Sequence, residues 1–290
     1  MATRYCESSR LCEACPFRQR RLLAFCLRIA CLVTLPDSMK ILVLTCLLSL
    51  SIVVLAPASE DGQPYVPVVS LDAAGPEIFP KSWLSAAVNA QAAILDDAQR
   101  ERSRTLVARA LAKYPAAVLH AHLHRVYVVG RLAYSGVPTG GTNSRNSVYL
   151  ANSGKASDAV LEGIFHAEFS SILLRNLPLN FDANLWQEIN PSDFHYLGSG
   201  VQAIKQQRAS QQLDEDLQKA GFLHAYAQAS LEEDFNSIAA RLLMGDAALW
   251  RAVAQFPKVK EKTEMVMAFY GRLDAQFTRA WFESLRRAGP

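Results

Sequence analysis

The sequence predicts an α+β protein that is mainly helical and carries one small antiparallel sheet. Apolar residues recur with helical spacing over 158–175 and again over 230–244, whereas residues 119–134 alternate and are rich in β-branched and aromatic side chains. The first pattern is typical of an amphipathic helix and the second of a strand. Half of the 290 residues are hydrophobic, which favours one ordinary globular domain with an appendage.

The first 58 residues differ from the rest in charge and in cysteine content. They hold seven Lys/Arg against three Asp/Glu, a net charge of +4, so the total of +3 leaves −1 for the remainder. The body of the protein therefore gives no support for nucleic-acid binding. All six cysteines fall within the first 46 residues, so disulfides cannot hold the body together. Cys12 and Cys15 form a CxxC, but no second pair follows at the spacing of a zinc site.

Residues 39–58 have the layout of a secretory signal peptide. A lysine follows Met39, an apolar run comes next, and the segment ends in Ala56-Pro57-Ala58, which predicts cleavage after Ala58. The run is short for a membrane anchor, and it continues well past Cys46, which disfavours a lipoprotein. Residues 1–38 are then a disordered extension or an over-long start, and the mature domain is 59–290. We expect an exported protein, periplasmic or secreted, with no stable membrane span after cleavage.

The mature chain divides into elements as follows. Residues 59–80 contain four prolines and predict an extended lead-in, and residues 82–114 predict one or two helices. Residues 119–134 predict a strand, 135–146 a Gly- and Pro-containing turn, and 147–151 a second strand. We expect the two strands to form a hairpin beside the helix that follows.

Three histidines alternate in the predicted strand. His120, His122 and His124 would share one strand face because side chains at i, i+2 and i+4 point the same way. Such a face is either a metal site or the solvated side of an edge strand. The second interpretation is favoured, since no nearby carboxylate completes a site.

The helix predicted over 158–175 is the centre of the sequence. Glu168 projects from near the middle of its apolar stripe, where an unpaired carboxylate is costly. We expect this carboxylate to be buried and hydrogen-bonded, with His124, His195 or Tyr226 as the donor, and its pKa to be raised by desolvation. The stripe consists of seven apolar residues: Val160, Leu161, Ile164, Phe165, Phe169, Ile172 and Leu173.

The C-terminal half is predicted to be helical after a long connector. The connector, 176–200, contains aromatic residues that suggest a packed loop forming a lid or one wall of a cleft. A polar helix is expected over 202–219. The next helix, 230–244, begins with Ser230 and Glu233 in the spacing of a capping box, and a last helix follows over 261–285.

The central segment reads HAEFSSILL and resembles the HExxH helix of zinc metallopeptidases. In that motif two histidines hold the metal and the glutamate is the general base. Glu168 and Phe169 stand at matching positions, but Ala167 and Ser171 replace the two ligand histidines, and neither can bind zinc as imidazole does. His166 is displaced by one residue, roughly 160° around the helix from Glu168, and is a poor substitute.

The downstream segment AYAQASLEEDFNSIAARL resembles the second half of a gluzincin-type, lethal-factor-like site. The family carries a third zinc-ligand Glu on a second helix and a Tyr shortly before it. Residue by residue, Glu233 matches the ligand and Tyr226 the oxyanion donor, while His195 in the connector is a candidate replacement ligand. The resemblance covers about 119–243 and implies a zincin-like domain over 59–290. A capping-box role for Glu233 is the alternative.

These residues leave three functions open. The first is an exported protein with a metallopeptidase-like fold and a degenerate zinc site that binds a peptide or protein partner. The second is an exported hydrolase that uses Glu168 and Tyr226 with non-motif metal ligands or without metal; zinc is the cofactor that the resemblance allows. The third is an unrelated helical periplasmic protein. The mature chain has no phosphate-binding glycine loop next to a strand, serine nucleophile elbow or basic patch, so nucleotide, lipase-like and nucleic-acid functions are disfavoured.

Overall fold

The computed structural model describes residues 65–286 and confirms the predicted α+β class with mainly helical content. The predicted extension 1–38 and signal peptide 39–58 lie outside the described residues. Within 65–286, no helix combines the length and the apolar character that a membrane crossing requires. The α-helices of this range are α1 Arg100–Leu111, α2 Ala116–His122, α3 Asp158–Asn176, α4 Ala183–Ile189, α5 Gly200–Lys205, α6 Glu215–Ala220, α7 Leu231–Leu243, α8 Ala247–Gln255, α9 Pro257–Gly271 and α10 Arg279–Ser284.

Two small sheets accompany these helices. The strands are β1 Val68–Ser70, β2 Gln91–Ala93, β3 Arg125–Val129, β4 Arg131–Tyr134, β5 Val137–Pro138, β6 Gly141–Asn143 and β7 Ser147–Ala151. One sheet has the strand order β1-β3-β7-β6, and the other has the order β2-β4-β5. The strand β6 therefore forms an edge of the first sheet.

The predicted hairpin between residues 119–134 and 147–151 is wrong. The strands β3 and β7 are neighbours but run parallel, with Val126 opposite Val148. The chain between them returns through β4, β5 and β6, and β6 then pairs antiparallel with β7. The first sheet is therefore mixed, whereas the second is antiparallel throughout its described pairs.

The segment 119–134 also begins as a helix and not as a strand. Pro115 precedes α2, which continues to His122, and the strand β3 starts at Arg125. Val118, Leu119 and Leu123 are buried because one side of the short helix packs on the core. Burial of these residues outweighs the local alternation of histidine with apolar residues, so the three histidines do not share a strand face.

The residues before α1 differ from the prediction in a similar way. The lead-in contains β1, which pairs in parallel with β3. Of the one or two helices predicted over 82–114, the structure has α1, and the residues before it form 3₁₀ turns and the strand β2. The predicted polar helix over 202–219 is divided into α5 and α6. These short elements depend on partners that are distant in sequence.

The helices α3 and α7 pack against each other at the centre of the molecule. Ser157 caps α3 by accepting a hydrogen bond from the Val160 amide, and Ser230 caps α7 by accepting one from the Glu233 amide at 3.1 Å. Caps of this kind satisfy backbone amides that have no partner in the first helical turn. The buried residues of these two helices include Phe165, Phe169, Ile172, Leu173, Phe235, Ile238, Leu242 and Leu243.

The fully buried carboxylate of α3 is Glu162, one of the residues that the apolar pattern did not single out. Its side chain is 0% exposed and accepts hydrogen bonds from Arg109 Nε at 2.7 Å and Lys113 Nζ at 2.6 Å. These contacts connect α3 to α1 and to the turn that follows α1. Burial of the negative charge is offset because two cations face it.

A second buried ion pair fixes the connector to the helical half. Lys262 of α9 contacts Asp234 of α7 at 2.6 Å, and both side chains are 0% exposed. The Asp234 carboxylate also accepts hydrogen bonds from the Tyr196 hydroxyl at 2.8 Å and the Trp186 indole at 3.0 Å. The connector is therefore a packed segment, as its aromatic content predicts.

Candidate functional site

A cleft of about 870 Å³ lies between β6, α3 and α7. One wall is formed by the edge strand and the residues just before it, and the floor is formed by the facing sides of the two central helices. The polar residues that line it include Asn143, Glu168, Ser171, Arg175, Tyr226, Glu232, Glu233 and Asn236. Three of the residues singled out in the sequence, Glu168, Tyr226 and Glu233, therefore line one cleft.

Glu168 faces this cleft and is partly buried. Its Oε2 accepts a hydrogen bond from Asn143 Nδ2 at 2.6 Å, so the donors predicted from sequence, His124, His195 and Tyr226, are wrong. Burial raises the pKa of Glu168 to about 8; the Asn143 hydrogen bond lowers it, and the negative charge of Glu233 raises it. The carboxyl of Glu168 therefore changes protonation near neutral pH.

Asn143 also links Glu168 to the end of α3. The Asn143 side-chain oxygen accepts a hydrogen bond from the Arg175 guanidinium. Arg175 lies two turns beyond Glu168 on the same helix, and the asparagine bridges that distance. The edge strand β6 is thus fastened by one side chain to two polar residues of α3.

Glu233 projects into the same cleft from the first turn of α7. Its Oε1 accepts a hydrogen bond from the Tyr226 hydroxyl at 2.9 Å. Burial raises the pKa of Glu233 to about 7; the Tyr226 hydrogen bond lowers it, and Glu232 raises it. Burial, together with the charge of Glu233, also raises the pKa of Tyr226, so this hydroxyl remains a donor at neutral pH.

Only the Ser230 half of the predicted capping box is present. The Ser230 hydroxyl caps the Glu233 amide, but the Glu233 carboxylate turns to Tyr226 instead of returning to the helix start. The residue therefore serves both the helix, through its backbone, and the cleft, through its side chain.

Two glycines let the backbone approach these carboxylates. A Cβ atom on Gly200 would lie 2.6 Å from Glu233 Oε1 and closer still to the Tyr226 hydroxyl. A Cβ atom on Gly141 would lie 3.0 Å from Glu168 Oε1 and would collide with the Ile164 side chain. Side chains larger than glycine at these positions would fill part of the cleft.

Both positions that hold histidines in the metallopeptidase motif line the cleft. The Ala167 side chain has no atom that could bind a metal ion. The Ser171 hydroxyl accepts a hydrogen bond from Asn236 Nδ2 at 2.6 Å. The Asn236 side-chain oxygen is buried and has no hydrogen-bond partner among residues 65–286. The two motif positions on α3 thus carry an alanine and a serine, and neither binds zinc as imidazole does.

These residues do not fit a zinc ion of the peptidase kind. Such a site needs about three protein ligands plus a water, and within the described range no three His, Cys, Asp or Glu side chains are grouped to hold a metal ion. His224 lines the cleft, but its Nδ1 accepts a hydrogen bond from the Ala227 amide at 3.2 Å. His195 lies in a different pocket, beside Pro191 and Phe194.

The remaining histidines lie outside the cleft. His120 makes an edge-to-face contact with Tyr65, with 4.8 Å between ring centroids, and His124 Nδ1 lies 3.0 Å from Asn146 Nδ2. His166 is fully buried on α3, with its Nδ1 2.8 Å from the Tyr114 hydroxyl. None of these three, nor His122, lines the cleft.

Sequence reasoning missed three polar residues of the cleft: Asn143, Glu232 and Asn236. Asn143 lay in a predicted turn, where asparagine is common for local reasons. Asn236 is one helical turn beyond Glu232 and Glu233, so helical spacing could have indicated that it shares their face. No local signal could have placed Asn143 against α3.

Comparisons with known proteins yield one distant structural likeness. No protein-family model and no curated protein matches the chain. A crystal structure of a "putative zinc-binding metallo-peptidase" from Bacteroides caccae is similar with 13% sequence identity and a TM-score of 0.42. The match covers 62% of this chain and 73% of the other. A likeness this distant assigns neither a family nor an activity.

Proposed function

We propose that this protein is exported and binds an extended peptide, or an extended segment of a protein, in the cleft beside β6 without cleaving it. The observation that carries the proposal is the position of β6, an edge strand that forms a wall of the cleft. An edge strand presents unpaired backbone groups to which an extended peptide can add as a further strand. The signal-peptide pattern in residues 39–58 supports export.

The backbone register shows which groups of β6 face away from β7. The Ala151 amide donates to the Gly140 carbonyl and the Ser144 amide to the Ser147 carbonyl. Hydrogen-bonded pairs alternate along an antiparallel ladder, so the amide and carbonyl of Asn143 point to the open edge. The Gly141 carbonyl also points outward, where the Thr139 hydroxyl donates to it at 2.7 Å.

The absence of cleavage rests on the residues at the motif positions. Ala167 and Ser171 replace the imidazoles that would hold a zinc ion, whereas Glu168, the match to the general base, is retained. A carboxylate without a metal-activated water lacks the nucleophile on which this peptidase chemistry depends. On this proposal the cleft holds a peptide but lacks the ligands for zinc-dependent hydrolysis.

Two substitutions at one residue separate strand pairing from side-chain effects. Asn143→Ala and Asn143→Pro both remove the contact with Glu168, but only the proline also removes the outward amide. An edge strand tolerates a proline whose missing amide would face solvent. We expect peptides selected from a random library to bind the purified protein and to lose at least about threefold more affinity in Asn143→Pro than in Asn143→Ala. Equal affinities in the two variants would contradict strand addition at β6.

A metal-free or metal-assisted hydrolase is the second candidate, and the raised pKa of Glu168, to about 8, favours it. The fraction of such a carboxyl that is ionised near neutral pH can accept a proton from water, and the Tyr226 hydroxyl could donate to a developing oxyanion. Cleavage of quenched fluorescent peptides by the purified protein, abolished in Glu168→Gln, would establish this function. Intact peptides after long incubation, with and without added zinc, would support binding alone.

A further inference from the structure

We propose that the cleft receives a basic side chain of the bound peptide, the ammonium of lysine or the guanidinium of arginine. This inference rests on the proposed function, since the peptide lies along β6. It adds the chemical class of residue that the cleft selects. The evidence is a group of carboxyl and amide oxygens on α3 and α7 that line the same cleft.

The acceptors come from the facing sides of the two central helices. Glu168 uses Oε2 to accept from Asn143, and Glu233 uses Oε1 to accept from Tyr226, which leaves the second oxygen of each carboxylate for a ligand. Glu232 lines the same cleft, and no ion-pair or hydrogen-bond partner for its carboxylate is found within residues 65–286. A bound ammonium or guanidinium offers several donors to such a group of oxygens.

Asn236 supplies the second, independent observation. Its side chain is 4% exposed and lines the cleft one turn beyond Glu232 and Glu233. Nδ2 donates to the Ser171 hydroxyl, while Oδ1 has no partner within the described residues. A buried acceptor without a donor is costly. The donor that would satisfy it is absent from the chain in 65–286 and is supplied by the ligand.

Arginines also line the cleft, and the positive charge of Arg175 lowers the pKa of Glu168. Arg175 is held by the side-chain oxygen of Asn143, and Arg241 is paired with Asp246. Arg251 of α8 lines the cleft as well. Within the described residues no arginine or lysine forms an ion pair with Glu232 or Glu233, and on this proposal the ligand supplies the cation for these two carboxylates.

An organic cation fits these acceptors better than a metal ion does. A metal ion draws its oxygen ligands to within roughly 2.0–2.6 Å, and no such group of His, Cys, Asp or Glu exists in the described part of the chain. An ammonium or guanidinium spreads its donors and donates hydrogen bonds to oxygens that lie roughly 2.7–2.9 Å from each nitrogen. The cleft, at about 870 Å³, has room for a long basic side chain entering from β6.

The test uses four fluorescein-labelled peptides of about eight residues in one Val/Thr host, with lysine, arginine, norleucine or glutamate at the centre. Binding to the purified protein is measured by fluorescence polarisation. We expect the lysine or arginine peptide to bind at least about tenfold more tightly than the norleucine peptide, and the glutamate peptide most weakly. Glu232→Gln should reduce the preference for the basic peptide, whereas Glu261→Gln, which changes an exposed residue of α9, should leave it unchanged.

The outcomes separate the two proposals. Equal binding of the lysine and norleucine peptides, with weaker binding to Asn143→Pro than to Asn143→Ala, would overturn the basic-residue inference and leave peptide binding in place. Failure of all four peptides, and of every peptide in the library selection, would overturn both. Displacement of the lysine peptide by millimolar calcium or by zinc would overturn the organic-cation assignment in favour of a metal site. Circular dichroism melting of each variant checks that it is folded.

Discussion

Replacing Glu162 with glutamine tests whether one buried carboxylate joins α3 to α1. The carboxylate is 0% exposed and contacts Arg109 Nε at 2.7 Å and Lys113 Nζ at 2.6 Å. Removing one partner of a buried ion pair costs about 3–5 kcal/mol. Because the Arg109 side chain is 41% exposed and can regain water, we expect a loss near the lower figure, about 3 kcal/mol of a total stability of roughly 5–15 kcal/mol.

The loss should depend on pH in a defined direction. Burial by itself raises the pKa of Glu162, but the neighbouring His166, Lys113 and Arg109 outweigh burial and hold that pKa well below its usual value. A carboxyl whose pKa is lower in the folded state contributes stability above its unfolded pKa, and this contribution is lost as the pH falls toward the folded value. The difference between wild type and Glu162→Gln should therefore be largest at neutral pH and shrink below about pH 4.5.

Urea denaturation at pH 7 and at pH 3.5 measures this difference. The matched control is Glu264→Gln, because Glu264 pairs with Arg279 on the surface, where both side chains are more than two-fifths exposed, and such pairs contribute less than about 1 kcal/mol. A Glu162→Gln loss no larger than that of the control, or a loss that is the same at both pH values, would refute the reasoning.

Three further substitutions follow from the packing. Lys262→Met leaves Asp234 buried without its cation and should lower the free energy of unfolding by about 3 kcal/mol or more, measured by urea denaturation; no change would show that the pair is dispensable. Gly163→Ala should raise stability by roughly 0.5–1 kcal/mol, since a Cβ there meets no atom within 4 Å in a helix; a lower melting temperature would contradict this. Gly200→Ala should weaken peptide binding at least about tenfold while the protein stays folded, because the added carbon would press on Tyr226; unchanged affinity would place the peptide elsewhere.

The two central helices could be predicted because their evidence is local. The apolar spacing of 158–175 and the Ser230 cap can be recognised from residues three or four positions apart. The structure places both helices at the core. Glu168, Tyr226 and Glu233 could be expected to meet through the family resemblance. Their roles stay predictions.

The elements that could not be predicted depend on distant partners. The strand β1 is three residues long and exists because β3 lies beside it. The buried position of Glu162 depends on cations from α1 and its following turn, which helical periodicity within α3 cannot reveal. Asn143 lies at the cleft because β6 packs against α3. The alternating pattern around His122 predicted a strand, whereas the residues form a short helix that packs on the core.

Hydrogen exchange at the Asn143 amide tests the central claim, strand addition at β6, most directly. The register points this amide to the open edge, whereas the Thr142 amide already faces β7. Saturation with a lysine-containing peptide selected for binding should slow exchange at Asn143 by at least about tenfold, because the amide gains a backbone partner. Thr142, protected in both states, should change little. If the peptide binds while Asn143 exchanges at its unbound rate, the peptide does not extend the sheet and the account of this cleft is wrong.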